Sequence, residues 1–127
     1  MTLNDVLIDI KTVLSPIPDI KSIKIGIETG LGSKDCPFIR IVPASDVRDG
    51  PYRNIEVNIV YGFDVKNKDL ELMYEKLYSL QEQIISTLQY NTNIGDCFYI
   101  STMTDEDRLT NLKSSISRFR IENILVQ

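Results

Sequence analysis

The sequence predicts an α+β fold. Two stretches carry helical apolar spacing, one long run alternates strictly, and 127 residues supply one hydrophobic core rather than two. The expected layout is a single domain, 1–127, with element order α-β-β-β-α-β-β. Two helices pack on one face of a mainly antiparallel sheet.

The first helix spans Leu3 to Leu14. Leu3, Val6, Leu7, Ile10, Val13 and Leu14 recur every three or four residues, which places them on one face. Thr2 and Asp5 have the spacing of a capping box with Asp in place of Glu. Ser15-Pro16-Ile17-Pro18 ends the helix, because proline lacks the amide donor and disfavours helix in the preceding residue.

Alternation follows. Ile23, Ile25 and Ile27 form a half-buried strand, Thr29 to Pro37 a loop of small residues, and Phe38 to Val42 a strand closed by Pro43. Ala44 to Arg53 is polar and carries turn residues, so it reads as a second loop. Ile55, Val57, Ile59, Tyr61 and Phe63 then alternate with mostly polar neighbours, the pattern of a sheet covered on one side.

The second helix is expected from a cap at Asn67, with Asp69 placed to favour the positive end of the dipole. Leu70, Met73, Leu77, Leu80, Ile84 and Leu88 make its apolar stripe, and Asn and Gly residues stop it between Tyr90 and Gly95. A coiled-coil seam is the other reading of that stripe; core packing is preferred because the strands need a cover. Cys97 to Met103 and Ser115 to Val126 supply the last two strands, around a charged loop from Thr104 to Asn111.

Composition narrows the function. A net charge of −4 argues against broad electrostatic binding to nucleic acid. Asp5, Asp9 and Lys11 interrupt the first apolar stretch, so neither a signal peptide nor a membrane span is expected there. Cys36 and Cys97 lack CxxC spacing and read as two reduced thiols.

Histidine is absent, which removes the commonest general base and the commonest metal ligand together. Gly30-Leu31-Gly32-Ser33-Lys34 glances at a phosphate loop, but Asp35 follows the lysine and no helix opens there. Asp105-Glu106-Asp107 could suggest a cation site, yet three consecutive acids point in different directions. The expectation is no enzyme, no cofactor and no metal.

The order of elements resembles that of small phage tail-completion, tail-terminator and head–tail joining proteins. The likeness rests on the amphipathic N-terminal helix, the run Cys36-Pro37-Phe38-Ile39-Arg40-Ile41-Val42-Pro43, the long strand Asn54 to Asp64, and the helix that follows it directly. The resemblance implies a structural virion protein, assembled in the host cytoplasm, that forms a ring, commonly a hexamer, at the tail–neck junction. Its partners would be copies of itself, tail tube protein and head–tail connector proteins. DNA would pass through the ring without specific binding, and no membrane would be involved. The alternative is a small ligand-binding or regulatory module of ferredoxin-like type, although three successive strands precede the second helix here.

Partner contacts are expected in three polar loops. The candidates are Lys34 and Asp35 in the first, Asp46, Arg48, Asp49, Tyr52 and Arg53 in the second, and Asp105, Glu106, Asp107 and Arg108 in the third. Arg118 and Arg120 share one face of the last strand, either as a solvated surface or as a basic strip meeting an acidic partner.

Overall fold

The computed structural model describes residues 1–65, 69–89, 91, 93–107 and 111–125. In chain order these form α1 (Leu3–Leu14), β1 (Ser22–Ile25), β2 (Phe38–Asp49), β3 (Tyr52–Asp64), α2 (Leu70–Leu88), β4 (Asp96–Thr104) and β5 (Leu112–Leu125). The α-β-β-β-α-β-β order is as expected. The five strands make one sheet in the order β1-β2-β3-β5-β4. Only β1–β2 is parallel; the other three pairings are antiparallel.

Both helices pack on the same face. Val6, Leu7, Ile10 and Leu14 of α1 join Leu77, Leu80, Ile84 and Leu88 of α2 over Ile39, Ile41, Ile55, Val57, Ile59, Tyr61, Phe119 and Ile121 of the strands. The α1 cap forms as its spacing predicts: Thr2 N–H donates to Asp5 Oδ2 at 2.8 Å, and Asp5 N–H to Thr2 Oγ1 at 3.2 Å. At α2 the cap is Asp69, whose Oδ1 accepts from Leu72 N–H at 3.2 Å. The helix therefore starts later than a cap at Asn67 implies; Asn67 itself lies outside the described residues. Its last helical residue is Leu88, with Gln89 as C-cap, ahead of the expected stop.

The largest departure from expectation is Ala44 to Arg53. It is not a loop. β2 continues to Asp49 and turns through Gly50-Pro51 into β3, with Ser45 paired to Glu56, Val47 to Asn54 and Asp49 to Tyr52. Pro43, expected to end the strand, is absorbed by a register shift between Pro43 and Ser45, a bulge of the kind that tolerates proline. Smaller differences concern strand ends. β1 stops at Ile25, because Gly26 adopts φ +86° and turns the chain away, leaving Ile27 outside the sheet. β5 begins at Leu112 rather than Ser115.

The face turned away from the helices is open except at one end. There Glu28 bonds to Arg40 and Asp35 to Ser22, and Phe38, Arg40 and Val60 are buried. Gly62 is required here. A Cβ at this position would sit 2.6 Å from Lys113 O and 2.9 Å from Phe38 Cε1. Gly62→Ala should therefore destabilise by roughly 1–3 kcal/mol through overpacking. A urea denaturation midpoint equal to that of the wild type would contradict this packing.

Candidate interaction surface

Cross-strand register places the predicted contact residues. Phe38, Gly62 and Ser114 lie in one row, and Asp49, Tyr52 and Leu125 in another. The loops around Lys34 and Asp105 therefore sit at one end of the sheet and the hairpin tip at the other. The three loops do not converge on one site.

The first loop is clamped down. A turn of 3-10 helix, Ser33–Asp35, brings Asp35 Oδ2 to within 3.0 Å of Gly32 N–H, and Ser22 Oγ donates to Asp35 O at 3.0 Å. That amide bond holds the Asp35 carboxyl below its usual range. The loop's own carboxylate thus occupies an amide that a phosphate would need. Lys34 stays exposed.

Beneath the loop lies Arg40, wholly buried on the sheet. Its Nε donates to Glu28 Oε1 at 2.7 Å; its Nη1 reaches Ser22 O, Ser22 Oγ and Ile39 O. Its guanidinium lies 5.6 Å from the Phe38 ring centre, and Nη2 meets no hydrogen-bond partner among the described residues. A buried guanidinium needs this many acceptors to offset its desolvation. Its role is to hold the loop on the sheet.

At the hairpin tip, Arg53 is also buried, which removes it from the surface contacts expected of it. Its Nε stands 3.1 Å from Asp46 Oδ1, and its Nη1 donates to Met1 O at 2.6 Å, fastening the tip to the start of α1. Arg48, Asp49 and Tyr52 remain exposed.

Asp105, Glu106 and Asp107 form a turn that is itself tied down. Asp105 Oδ1 accepts from Asp107 N–H at 2.8 Å, and Asp105 Oδ2 from Ser114 N–H at 3.1 Å. Asp107 Oδ1 accepts from Tyr74 OH and pairs with the buried Lys113 Nζ at 2.9 Å. The bond from Tyr74, reinforced by Lys113, pulls the Asp107 carboxyl below its ordinary value of 3.8. The same bond pushes the Tyr74 phenol up to about 12. Among the described residues, no group of three or more His, Cys, Asp and Glu is arranged to hold a metal ion. Arg108 lies outside the described residues.

Arg118 and Arg120 point to the open face, where their partners belong to the same chain. Arg118 Nε donates to Asn58 Oδ1 at 3.0 Å, and Arg120 Nη2 pairs with Glu56 Oε1 at 3.1 Å. Glu122 adds a longer contact to Arg120 at 3.7 Å. This arrangement favours a solvated ladder over a free basic strip.

Sequence reading missed a line of hydroxyls on the helix-facing side. Tyr61 OH lies 2.8 Å from Ser117 Oγ, which is 2.8 Å from Thr102 Oγ1, itself 2.6 Å from Tyr99 OH. Burial lifts the Tyr61 phenol to about 12 and the Cys97 thiol to about 12, so both stay protonated at neutral pH. Burial, aided by Asp64 and Asp35, also raises the Cys36 thiol. Both thiols are free. A groove of about 630 Å³ runs between α2 and Pro18–Ile20, with Phe63, Leu72 and Leu80 in its walls. No described helix is long and apolar enough to cross a membrane.

No family model matches the chain, and no curated protein sequence matches it.

Large apolar side chains remain exposed in several places, among them Ile8 on α1 and Leu70, Leu72 and Tyr78 on α2. Val47, Tyr52 and Leu125 mark the hairpin end; Phe98, Ile100 and Met103 mark the outermost strand.

Two results should follow from these local networks. Glu28→Ala leaves a buried guanidinium without its carboxylate and should cost roughly 1–3 kcal/mol. Arg40→Met removes the charge while nearly keeping the volume, and should cost less. The reverse order of urea midpoints would contradict the clamp. Separately, Asp107→Asn should bring one phenol down from about 12 toward its ordinary value in an ultraviolet pH titration. Because the folded-state carboxyl of Asp107 is lowered, its contribution is complete above the ordinary value of 3.8 and fades as pH falls below it. An unchanged tyrosine titration in the variant would refute the pairing.

Proposed function

We propose that this chain is a structural virion assembly protein of the tail-completion, tail-terminator or head–tail joining kind, acting as a ring at the tail–neck junction. What carries the reading is a single sheet layer with β1 and β4 as its edge strands and, among the described residues, helices on one face alone, extended by a long hairpin. The hairpin, Phe38–Asp49 with Tyr52–Asp64, runs past the end of the four-residue β1. A sheet of that shape leaves backbone donors and acceptors and apolar side chains to be completed by other subunits. Heterologous association that closes on itself gives a ring, with no fibre.

The order of elements supports the same reading, as it did in the sequence. In this proposal copies of the chain contact one another, and the ring stacks on tail tube protein and connector proteins. A subunit of net charge −4 suits a passage through which DNA slides without adhering. The described residues fit a docking role better than a chemical one. Their perturbed phenols and thiols are pushed away from neutrality rather than toward it.

Sedimentation velocity from micromolar to millimolar protein, followed by negative-stain microscopy of the largest species, tests the proposal. The expected outcome is a step to one discrete oligomer with a central opening. A monomer over the whole range, unchanged when a tail-tube protein encoded beside it is added, would overturn it.

A further inference from the structure

The two outer strands of the sheet are unlike each other. β4 is nine residues long and carries a single charge, Asp96, at its start. Edge strands are usually kept short or guarded by lysine and proline inside the strand. β4 has only an irregularity between Tyr99 and Ser101 to interrupt it. β1, at the other side, has four residues and includes Lys24, with Lys21 immediately before it.

Register sets these two edges level. Ile23 lies in one row with Ile39, Tyr61, Ser115 and Thr104. Lys24 shares the next row with Arg40, Val60, Ile116 and Met103, and Ile25 the one after, ending at Thr102. Along these rows β1 is parallel to β2, β2 antiparallel to β3, β3 to β5 and β5 to β4, so β4 runs opposite to β1. A second copy set beside the first with no stagger brings its β1 antiparallel to β4.

We propose that the chain assembles head to tail through this edge, β4 of one copy pairing with β1 of the next. The inference rests on the ring reading above and names its joint.

Charge and apolar surface both agree with this occupant. Lys21, which makes no ion pair among the described residues, arrives beside the acidic turn Asp105-Glu106-Asp107 of the neighbour. Lys24, whose contact to Glu28 in its own chain is a long 3.8 Å, arrives beside Met103. Ile100, at the irregularity of β4, is 40% exposed. Phe98 and Met103, 47% and 66% exposed, lie on the same helix-free face as Lys24. A β4–β4 pairing of two copies would instead run antiparallel with Asp96 of each copy close to the acidic turn of the other, a like-charge arrangement.

Disulfide trapping of the full chain tests the joint. In a Cys36→Ser background, Lys24→Cys is combined in turn with Met103→Cys and with Ser101→Cys, all positions on the open face. Oxidation at a concentration where the wild type is oligomeric should give a ladder of covalent multimers from at least one pair. Each control with one introduced cysteine should give no more than a dimer, because the remaining Cys97 is buried. Phe98→Lys with Met103→Lys, both at exposed positions, should shift the wild-type oligomer to monomer while leaving the circular dichroism spectrum and the melting temperature near those of wild type.

An oligomeric wild type that yields no ladder, and whose lysine double variant still assembles, would overturn the joint and leave the ring reading standing. A wild type that is monomeric at every concentration would overturn both.

Discussion

The structure depends on covering one apolar sheet face with two helices. β3 is the central strand, and Ile55, Val57, Ile59 and Tyr61 on its helix-facing side are all buried. Five strands spaced about 4.8 Å apart make a layer roughly 24 Å wide, including its margins. Two helices, each about 10 Å across, cover about 20 Å of it. The shortfall falls on the outer strands. Ile23 and Ile25 of β1 and Tyr99 of β4 pack against the core yet stay only half-buried. Among the described residues no helix packs on the second face, where Glu28 bonds to the buried Arg40 and Phe38 packs on Gly62. Incomplete cover on both margins and on most of one face is a consequence of the element count.

Regular apolar spacing made the main elements legible in the sequence. The helical faces of α1 and α2 and the alternation of β3 needed no tertiary information, because burial on one side imposes its period on the residues. Where burial is absent, the signal fails. Val42 is half-buried and Pro43 to Asp49 exposed, so this part of β2 shows no alternation and its turn-prone residues suggested a loop. The strand is set by its pairing with β3. Pro43 misled for a related reason, since a bulge can accept a proline that a regular ladder cannot.

The candidate contacts were less legible, because a charge in sequence does not reveal its partner. Glu56 and Arg120 are 64 positions apart, and only the β3–β5 register brings them together. Arg53 and Arg40 occupy alternating positions on strands, which by pattern alone belong to solvent as readily as to the interior; both are buried. A fully buried arginine is rare enough that position alone does not announce it. Acidic residues near Asp105 read as a free cluster, whereas Tyr74 and Lys113 hold Asp107 in place. Lys34, Arg48 and Asp49 stay exposed, whereas Arg40, Arg53 and Asp107 are engaged within the chain.

Amide hydrogen exchange, read strand by strand at low and at high protein concentration, tests the claim that the outer strands are completed by other copies. The account predicts that β1 and β4 both gain protection as concentration rises, while β3 is protected throughout. Assembly that slows exchange elsewhere, with β1 and β4 as fast as in the monomer, would contradict it.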